Sequence, residues 1–484
     1  MEPIKYLLGN FGDNTWLIWE GLRIKTLAYK DSYLGLYGME NQNPISEPLV
    51  IYPFLFFSKF INAIDLWNIF VITFLFLNLF FSFLYFKKII DSKYLAIISS
   101  LVFISNSYFS IHSRDHLTLL CVFILPIFLL LNKFDSYRSL VYKYLFLTTS
   151  SFISNYLTIF LIFLNFLDAV ISYFSDRNNY KKINLIFALV FVISSSIFIK
   201  TLFPQLSKNI DNFLIYSFKP WHLITQSPRS LINISDFEKI YPQNIWFQYF
   251  DAEHSVSYFG FTILIIFVIQ FIRKKIIFNK NFYLLILLLL FSLPPYIVVK
   301  GIYIYLPSYI IYELFPAFRI ISRMNIFSFF FLIVVILESF KKENLNDKKY
   351  LITILAALAI LELFVPLKVS VTKDNKVYSY IRENYKTEKN LIFYPGETPN
   401  SKIIDMIHYR AKLINPQNYI SGDFNSEEFT KNLSCNNLQK YNLYPEDTLI
   451  LSTIKYNNIL DIKLKPVSED EEEKLILYEI ECEK

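Results

Sequence analysis

Four short stretches concentrate the side chains able to do chemistry. The first, GDNTWLIWEGLRIK from Gly12, sets Asp13 ahead of Trp16 and Trp19. A carboxylate there can act as a general base, removing a proton from an acceptor hydroxyl as a bond forms. It can equally serve as the N-cap of a helix beginning at Asn14, which would put both tryptophans on one face. The second, SIHSRDH at residues 110–116, offers His112, Arg114, Asp115 and His116. These can pair with one another, satisfy helix ends or contribute part of a divalent-ion site, although their spacing is no specific metal motif. The third is ELFPAFRIISRM, where Arg319 and Arg323 are four apart and so share a helical face. Guanidinium groups grip phosphate oxygens through paired donors, and the same arginines can instead snorkel to a membrane boundary. The fourth is DAEHSVSYFGF, in which Asp251, Glu253 and His254 precede an apolar run and are placed to line the same cavity as Asp13.

Other chemistries lack their residues. There is no GxxxxGK[ST], HExxH, GxSxG or GxGxxG, so a nucleotide-driven pump or a standard hydrolase has no support. Cys121, Cys435 and Cys482 lie far apart without metal-ligand spacing, which leaves a disulfide between the last two open. No metal ligands are assigned; a divalent metal stays an open cofactor.

The elements that must position these groups are membrane helices. The chain has 484 residues, 54% hydrophobic, 19% aromatic and 18% charged, with a mean hydropathy of +0.37. That is too apolar for a typical soluble enzyme of this length, so an α-helical polytopic membrane protein is expected. The net charge of +6 comes from short basic clusters between apolar runs, which argues against a nucleic-acid partner and for membrane topology. The wealth of Phe, Ile, Lys, Asn and Tyr beside 9 Gly resembles a codon bias, so Lys and Asn counts carry little functional weight. A helix needs roughly 20 apolar residues to cross the hydrocarbon core. About ten stretches qualify: 66–86, 94–111, 116–132, 141–154, 155–174, 183–203, 257–272, 281–299, 321–340 and 350–367. The pair at 141–174 is divided near Ser154 and Asn155, with one long tilted helix as the alternative. Residues 44–62, with Pro44, Pro48 and Pro53, read as a helix lying along the interface.

Basic residues collect in alternate loops: Lys87, Lys88 and Lys93; Lys133, Arg138 and Lys143; Arg177, Lys181 and Lys182; Arg273 to Lys280; and Lys341 to Lys349. Cytoplasmic loops gather such residues, so this side is assigned to the cytoplasm of a plasma (inner) membrane protein. The four chemical stretches then face outward. Three regions result: an extracytoplasmic first loop with the interfacial helix (1–65), a transmembrane region (66–369), and a soluble extracytoplasmic α/β domain (370–484). In the last, DNKVYSYIRENY reads as a helix, NLIFYP, TLILST and KLILYEIE as strands, and SEDEEE at 468–473 as a solvated turn. An outside N-terminus implies either a first span ahead of Met1 or unaided translocation.

This order of elements resembles the GT-C superfamily of integral membrane glycosyltransferases, in particular its YfhO-like bacterial branch. The residues that carry the likeness are GDNTWLIW, SIHSRDHLTLLCVFILPIFLLL with Pro126, SNYLTIF, EHSVSYFGF and LPSYIIYELFPAFRIISRM, within about residues 9–340. The resemblance implies transfer of a sugar from a polyprenyl-phosphate carrier to an extracytoplasmic glycan, lipid or protein acceptor, with membrane lipids as surroundings. On that likeness Asp13 is the general base and Asp115 the second-loop acid. Arg319 or Arg323 would stabilise the departing phosphate, and His112, His116, Glu253 and His254 would line the substrate site. The family's first helix and its adjacent acid pair are missing from this sequence, so the alternatives are an inactive relative that binds lipid-linked glycans and a flippase for such lipids.

Overall fold

Runs such as NIFSFFFLIVVILESF carry apolar residues on every side of a helix, and a helix with no polar face can only be buried or face lipid. In the computed structural model this run is buried from Asn325 to Ser339. The structure describes residues 6–8, 47–132, 136–176, 178–202, 210–227, 229–231, 254–299, 302–316, 320–341, 349–367, 369–371, 376–385, 389–394, 411–413, 433–440, 443–456, 458–459, 461–470 and 474–482.

In chain order the elements are β1 (Tyr6–Leu8), α1 (Pro48–Phe57), α2 (Ala63–Ile89), α3 (Lys93–Ile104), α4 (Ser107–Asp115), α5 (Ile124–Leu131), α6 (Tyr137–Ser151), α7 (Asn155–Ser175), α8 (Asn179–Leu202) and α9 (Ile210–Ile215). Then come α10 (Phe261–Ile272), α11 (Lys280–Ser292), β2 (Tyr296–Val299), β3 (Ile302–Tyr305), α12 (Ser308–Leu314), α13 (Asn325–Phe340) and α14 (Lys349–Leu363). The chain ends with β4 (Val369–Val371), α15 (Lys376–Asn384), β5 (Lys389–Phe393), β6 (Ala411–Leu413), α16 (Cys435–Lys440), β7 (Thr448–Ser452), β8 (Asn458–Ile459), β9 (Ile462–Asp470) and β10 (Leu475–Cys482). Two compact units result: Met1–Val71, Arg114–Leu117 and Lys368–Lys484 form one, and Ile72–Ser113 with Thr118–Leu367 the other.

Among the described residues five helical segments are long and apolar enough to cross a membrane: Ala63–Ile89, Asn155–Ser175, Asn179–Lys200, Ser255–Ile272 and Ile321–Phe340. A sixth results if α3 and α4, bent by 50°, act as one. The reading of a multi-pass membrane protein stands at this level, and several of the ten expected stretches are shorter or broken. The stretch at 281–299 stops being helical at Ser292, because Pro294 and Pro295 cannot continue the ladder, and its end is strand β2. The stretch at 116–132 divides into a 3-10 turn, Leu117–Phe123, and the short α5. The division at Ser154 is present, with α6 ending at Ser151 and α7 starting at Asn155. Residues 110–115, expected as loop, are the end of helix α4.

Helix α13 is the axis of the larger unit. Every residue from Asn325 to Ser339 is buried. Phe330 meets Phe86 of α2 at 4.9 Å and Phe103 of α3 at 5.1 Å, and Phe327 meets Phe160 of α7 at 6.1 Å. Its C-terminal end is ringed by polar groups. Glu338 accepts from the side-chain amides of Asn279 (2.9 Å) and Asn281 (2.8 Å). Nearby, Asp168 of α7 pairs with Lys280 at 2.5 Å and accepts from Asn132 at 2.9 Å. Lys143, although buried, donates to Asn184 at 3.2 Å. These carboxylates are helix-end fasteners at the end that bears the basic loops.

Glu362, an acid within the apolar stretch 350–367, also has a structural partner set. Its carboxylate accepts from the Tyr258 hydroxyl and from the backbone N–H groups of Phe261 and Thr262, the latter at 3.0 Å. A side chain from α14 thus caps α10, whose first N–H groups have no intrahelical acceptor. Gly260, just before α10, has φ +83°, which L side chains rarely adopt.

In the smaller unit, α1 rests on the start of α2 through Phe54, whose ring meets Trp67 at 6.4 Å and Phe70 at 5.5 Å. Strand β1 pairs antiparallel with β4. The remaining strands form a six-stranded sheet in the order β6-β5-β7-β10-β9-β8, parallel between β5 and its two neighbours and antiparallel elsewhere. The expected helix at 374–385 and the three expected strands are α15, β5, β7 and β10. Of the expected turn at 468–473, Ser468–Asp470 belong to β9 and 471–473 lie outside the described residues. A Cys435–Cys482 disulfide ties α16 to β10.

Three variants test this framework by thermal unfolding in detergent. Glu362→Leu strands three donors and should cost about 3 kcal/mol, against about 1 kcal/mol for Gly260→Ala. An equal, negligible change in both would remove the cap. Cys435→Ser should destabilise the sheet unit by about 3 kcal/mol, and the unmodified protein should migrate faster without reductant than with it.

Candidate functional site

The end of α13 opposite the Asp168 and Glu338 ring is built by three short 3-10 turns that pack on one another in sequence: Pro220–Leu223, Ser255–Ser257 and Ile321–Met324. Each follows a local break. Pro220 occupies the first turn position, where its missing N–H costs nothing. His254 precedes the second turn, and Ile320 leaves helical geometry before the third.

Backbone and amide bonds lock the three together. Asn325 donates to Ser257 Oγ at 2.8 Å and accepts from Ser292 Oγ at 2.8 Å. The Phe218 N–H donates to the Ser292 carbonyl at 2.8 Å, and the Ser322 N–H to the Tyr216 carbonyl at 3.2 Å. Helix α4 joins the same corner, because Ser107 Oγ donates to the Ser255 carbonyl at 2.8 Å.

Three basic side chains meet there, and a fourth, Arg323, belongs to the third turn. Lys219 donates to the Leu214 and Ile215 carbonyls at 3.0 and 2.7 Å, where the C-terminus of α9 favours a cation. The Lys219 N–H donates to Nδ1 of His222 at 3.2 Å, so a neutral His222 carries its proton on Nε2. His254 donates from Nε2 to the Ile215 carbonyl at 3.0 Å. The two imidazoles stack with centroids 4.3 Å apart. Arg323 is buried with its guanidinium 5.1 Å from the ring centroid of Tyr156 on α7.

Burial decides the protonation of this corner. It pulls the Lys219 amine down to about 7, so that the group is partly charged near neutrality. Burial, the neighbouring imidazole and the Lys219 charge push His222 well below its usual range. Burial and Lys219 take His254 to about 3. Both imidazoles are therefore neutral at physiological pH, while Arg323 keeps its charge. A permanent guanidinium, a tunable amine and two neutral imidazoles suit an incoming anion rich in oxygen acceptors.

Of the residues singled out in the sequence, His254 and Arg323 belong to two turns that pack on one another at this end of α13. His112 lies on α4, buried against Tyr108 at 4.3 Å between centroids, and His116 is half-buried just after that helix. Asp13, Asp251, Glu253 and Arg319, and the side chains of Arg114 and Asp115, lie outside the described residues. The expected helical face for Arg323 is instead a 3-10 turn. Among the described residues no group of three His, Cys, Asp or Glu could hold a metal ion. Lys219 and His222 escaped sequence reasoning. Their signal was KPWHL, a lysine and a histidine three apart around a turn-starting proline.

The protonation pattern has a pH signature. Between pH about 7 and 10.5 the unfolded chain holds a proton on Lys219 that the folded chain has released, so stability should rise with pH across that window. Between 6.5 and about 3 unfolding likewise takes up protons at His254, so stability should fall with acid. Melting temperatures of Lys219→Met should lose the alkaline slope; an unchanged slope would mean that the amine is charged in the fold.

No curated protein matches the chain. Residues 46–364, which hold α1 through α14 and the whole basic corner, match the family described as Domain of unknown function (DUF6311). The match covers more than half of the sequence, and the chain belongs to the DUF6311 family.

Proposed function

We propose that this DUF6311 protein is a multi-pass GT-C-like enzyme of the plasma membrane that moves a sugar from a polyprenyl-phosphate donor to an extracytoplasmic acceptor. The observation that carries the reading is the cluster of Lys219, His222 and His254 at one end of α13, with the buried Arg323 in the adjoining turn. The departing polyprenyl phosphate gains negative charge as the sugar leaves, and pre-placed cations and N–H donors stabilise that charge in a low-dielectric site. In the step proposed, the acceptor hydroxyl oxygen attacks the anomeric carbon. The bond from that carbon to the phosphate oxygen breaks, and its electron pair stays with the carrier. The hydroxyl proton passes to Asp13.

Sidedness rests on two independent arguments. Basic loops recur on the side of Lys280 and Lys341, away from the corner. The Cys435–Cys482 disulfide favours an oxidising compartment for the C-terminal sheet.

Transfer from a short-chain polyprenyl-phosphate sugar in reconstituted vesicles tests the proposal. Arg323→Met should lower turnover about 10²- to 10³-fold with the fold retained, and Asp13→Ala should abolish it. Wild-type turnover retained in Arg323→Met would overturn the role of the corner. Lipid translocation without glycosidic bond formation would favour the flippase reading.

A further inference from the structure

Helix α11 ends at Ser292, and after Pro294 and Pro295 the chain turns into the β2–β3 hairpin. In this antiparallel pair Tyr296 opposes Tyr305, Ile297 opposes Ile304, Val298 opposes Tyr303 and Val299 opposes Ile302. Opposed residues project to the same face and successive residues alternate. The register therefore sorts the hairpin into two chemistries, with Tyr296, Val298, Tyr303 and Tyr305 on one face and Ile297, Val299, Ile302 and Ile304 on the other. On the tyrosine face Tyr296 meets Tyr303 at 5.3 Å and Tyr305 meets Tyr309 of α12 at 4.7 Å, while Tyr303 and Tyr305 remain 60% and 61% exposed. The aliphatic face is open: Val299 is 48%, Ile302 67% and Ile304 44% exposed.

A two-stranded hairpin is marginal by itself, and an open aliphatic face on it invites association. Three features say what covers this one. The hairpin issues directly from α11, an apolar helix whose Ile286 and Leu290 are exposed in the same way. Its base is clamped by Ser308 Oγ donating to the Pro294 carbonyl at 2.7 Å and by the Leu306 N–H donating to the Pro295 carbonyl at 2.9 Å. Its other face is tyrosine, the residue that suits the headgroup level of a bilayer.

We propose that the β2–β3 hairpin is a membrane-embedded element, its Ile297, Val299, Ile302 and Ile304 face lying in the outer acyl region of the bilayer and its tyrosines turned to the interface. The free edges of a two-stranded sheet need water, which limits insertion to the depth where headgroups and water still reach the backbone. This inference rests on the membrane reading and not on sugar transfer.

The test uses Ile302→Cys, Ile304→Cys and Tyr303→Cys, each spin-labelled in the full chain, with Cys121 buried and the other two cysteines joined. The chains are reconstituted in vesicles of phosphatidylethanolamine and phosphatidylglycerol. Labels at 302 and 304 should collide with dissolved oxygen more than with an aqueous nickel chelate, and the label at 303 should do the reverse. Equal access of the chelate to all three labels would overturn the proposal. So would dipolar broadening between labels at 302 on different molecules, which would assign the face to a second copy. Two aliphatic positions keep the test decisive if one variant misfolds.

Discussion

Helix α13 has no exposed residue from Asn325 to Ser339, and the rest of the larger unit is arranged around that constraint. Sixteen residues of helix span about 24 Å. A helix buried on all sides must present polar groups only at its ends, where partners can be supplied. At one end these are the amides of Asn279 and Asn281 on Glu338. At the other they are Ser257, Ser292 and Ser328 around Asn325. The aromatic rings of α2, α3 and α7 fill the space between, and the polar chemistry is driven to two separate levels.

The two levels differ in kind. Around Glu338 and Asp168 each carboxylate faces a cation or an amide, and charge is closed within the protein. At the Asn325 end the groups are basic or neutral, and the imidazoles are held uncharged by burial. A cationic corner that burial has left only partly charged is a place where an anion would be stabilised and would itself raise the neighbouring protonation states. Glu362 belongs to neither level. It caps a helix, which explains an acid in a span without assigning it to transport.

Much of the organisation was legible in the sequence because it depends on period and composition. The division at Ser154 and the strands at Lys389–Phe393, Thr448–Ser452 and Leu475–Cys482 all follow from local patterns. The ten stretches were less well judged. Hydropathy measures apolar content and not helix length, so a stretch such as 281–299 can be equally apolar as α11 and as strand β2. The SIHSRDH segment read as loop from its polarity, yet it is helical through Asp115 because α4 is fastened at its start by Ser107 to Ser255.

By itself the sequence determined that the chain is a largely helical protein with membrane-length apolar helices and a sheet-forming C-terminal region, since both follow from residue order over short windows. Only the tertiary structure decided which polar residues meet. Lys219, His222 and His254 are separated by up to 35 residues of chain, and their meeting, with Arg323 in the next turn, depends on three 3-10 turns packing at the end of one buried helix. It also decided that Glu362 caps α10 and that β2 and β3 divide tyrosine from aliphatic side chains. Contacts between distant segments are fixed by packing and hydrogen-bond closure in a low-dielectric interior, which no local window of sequence encodes.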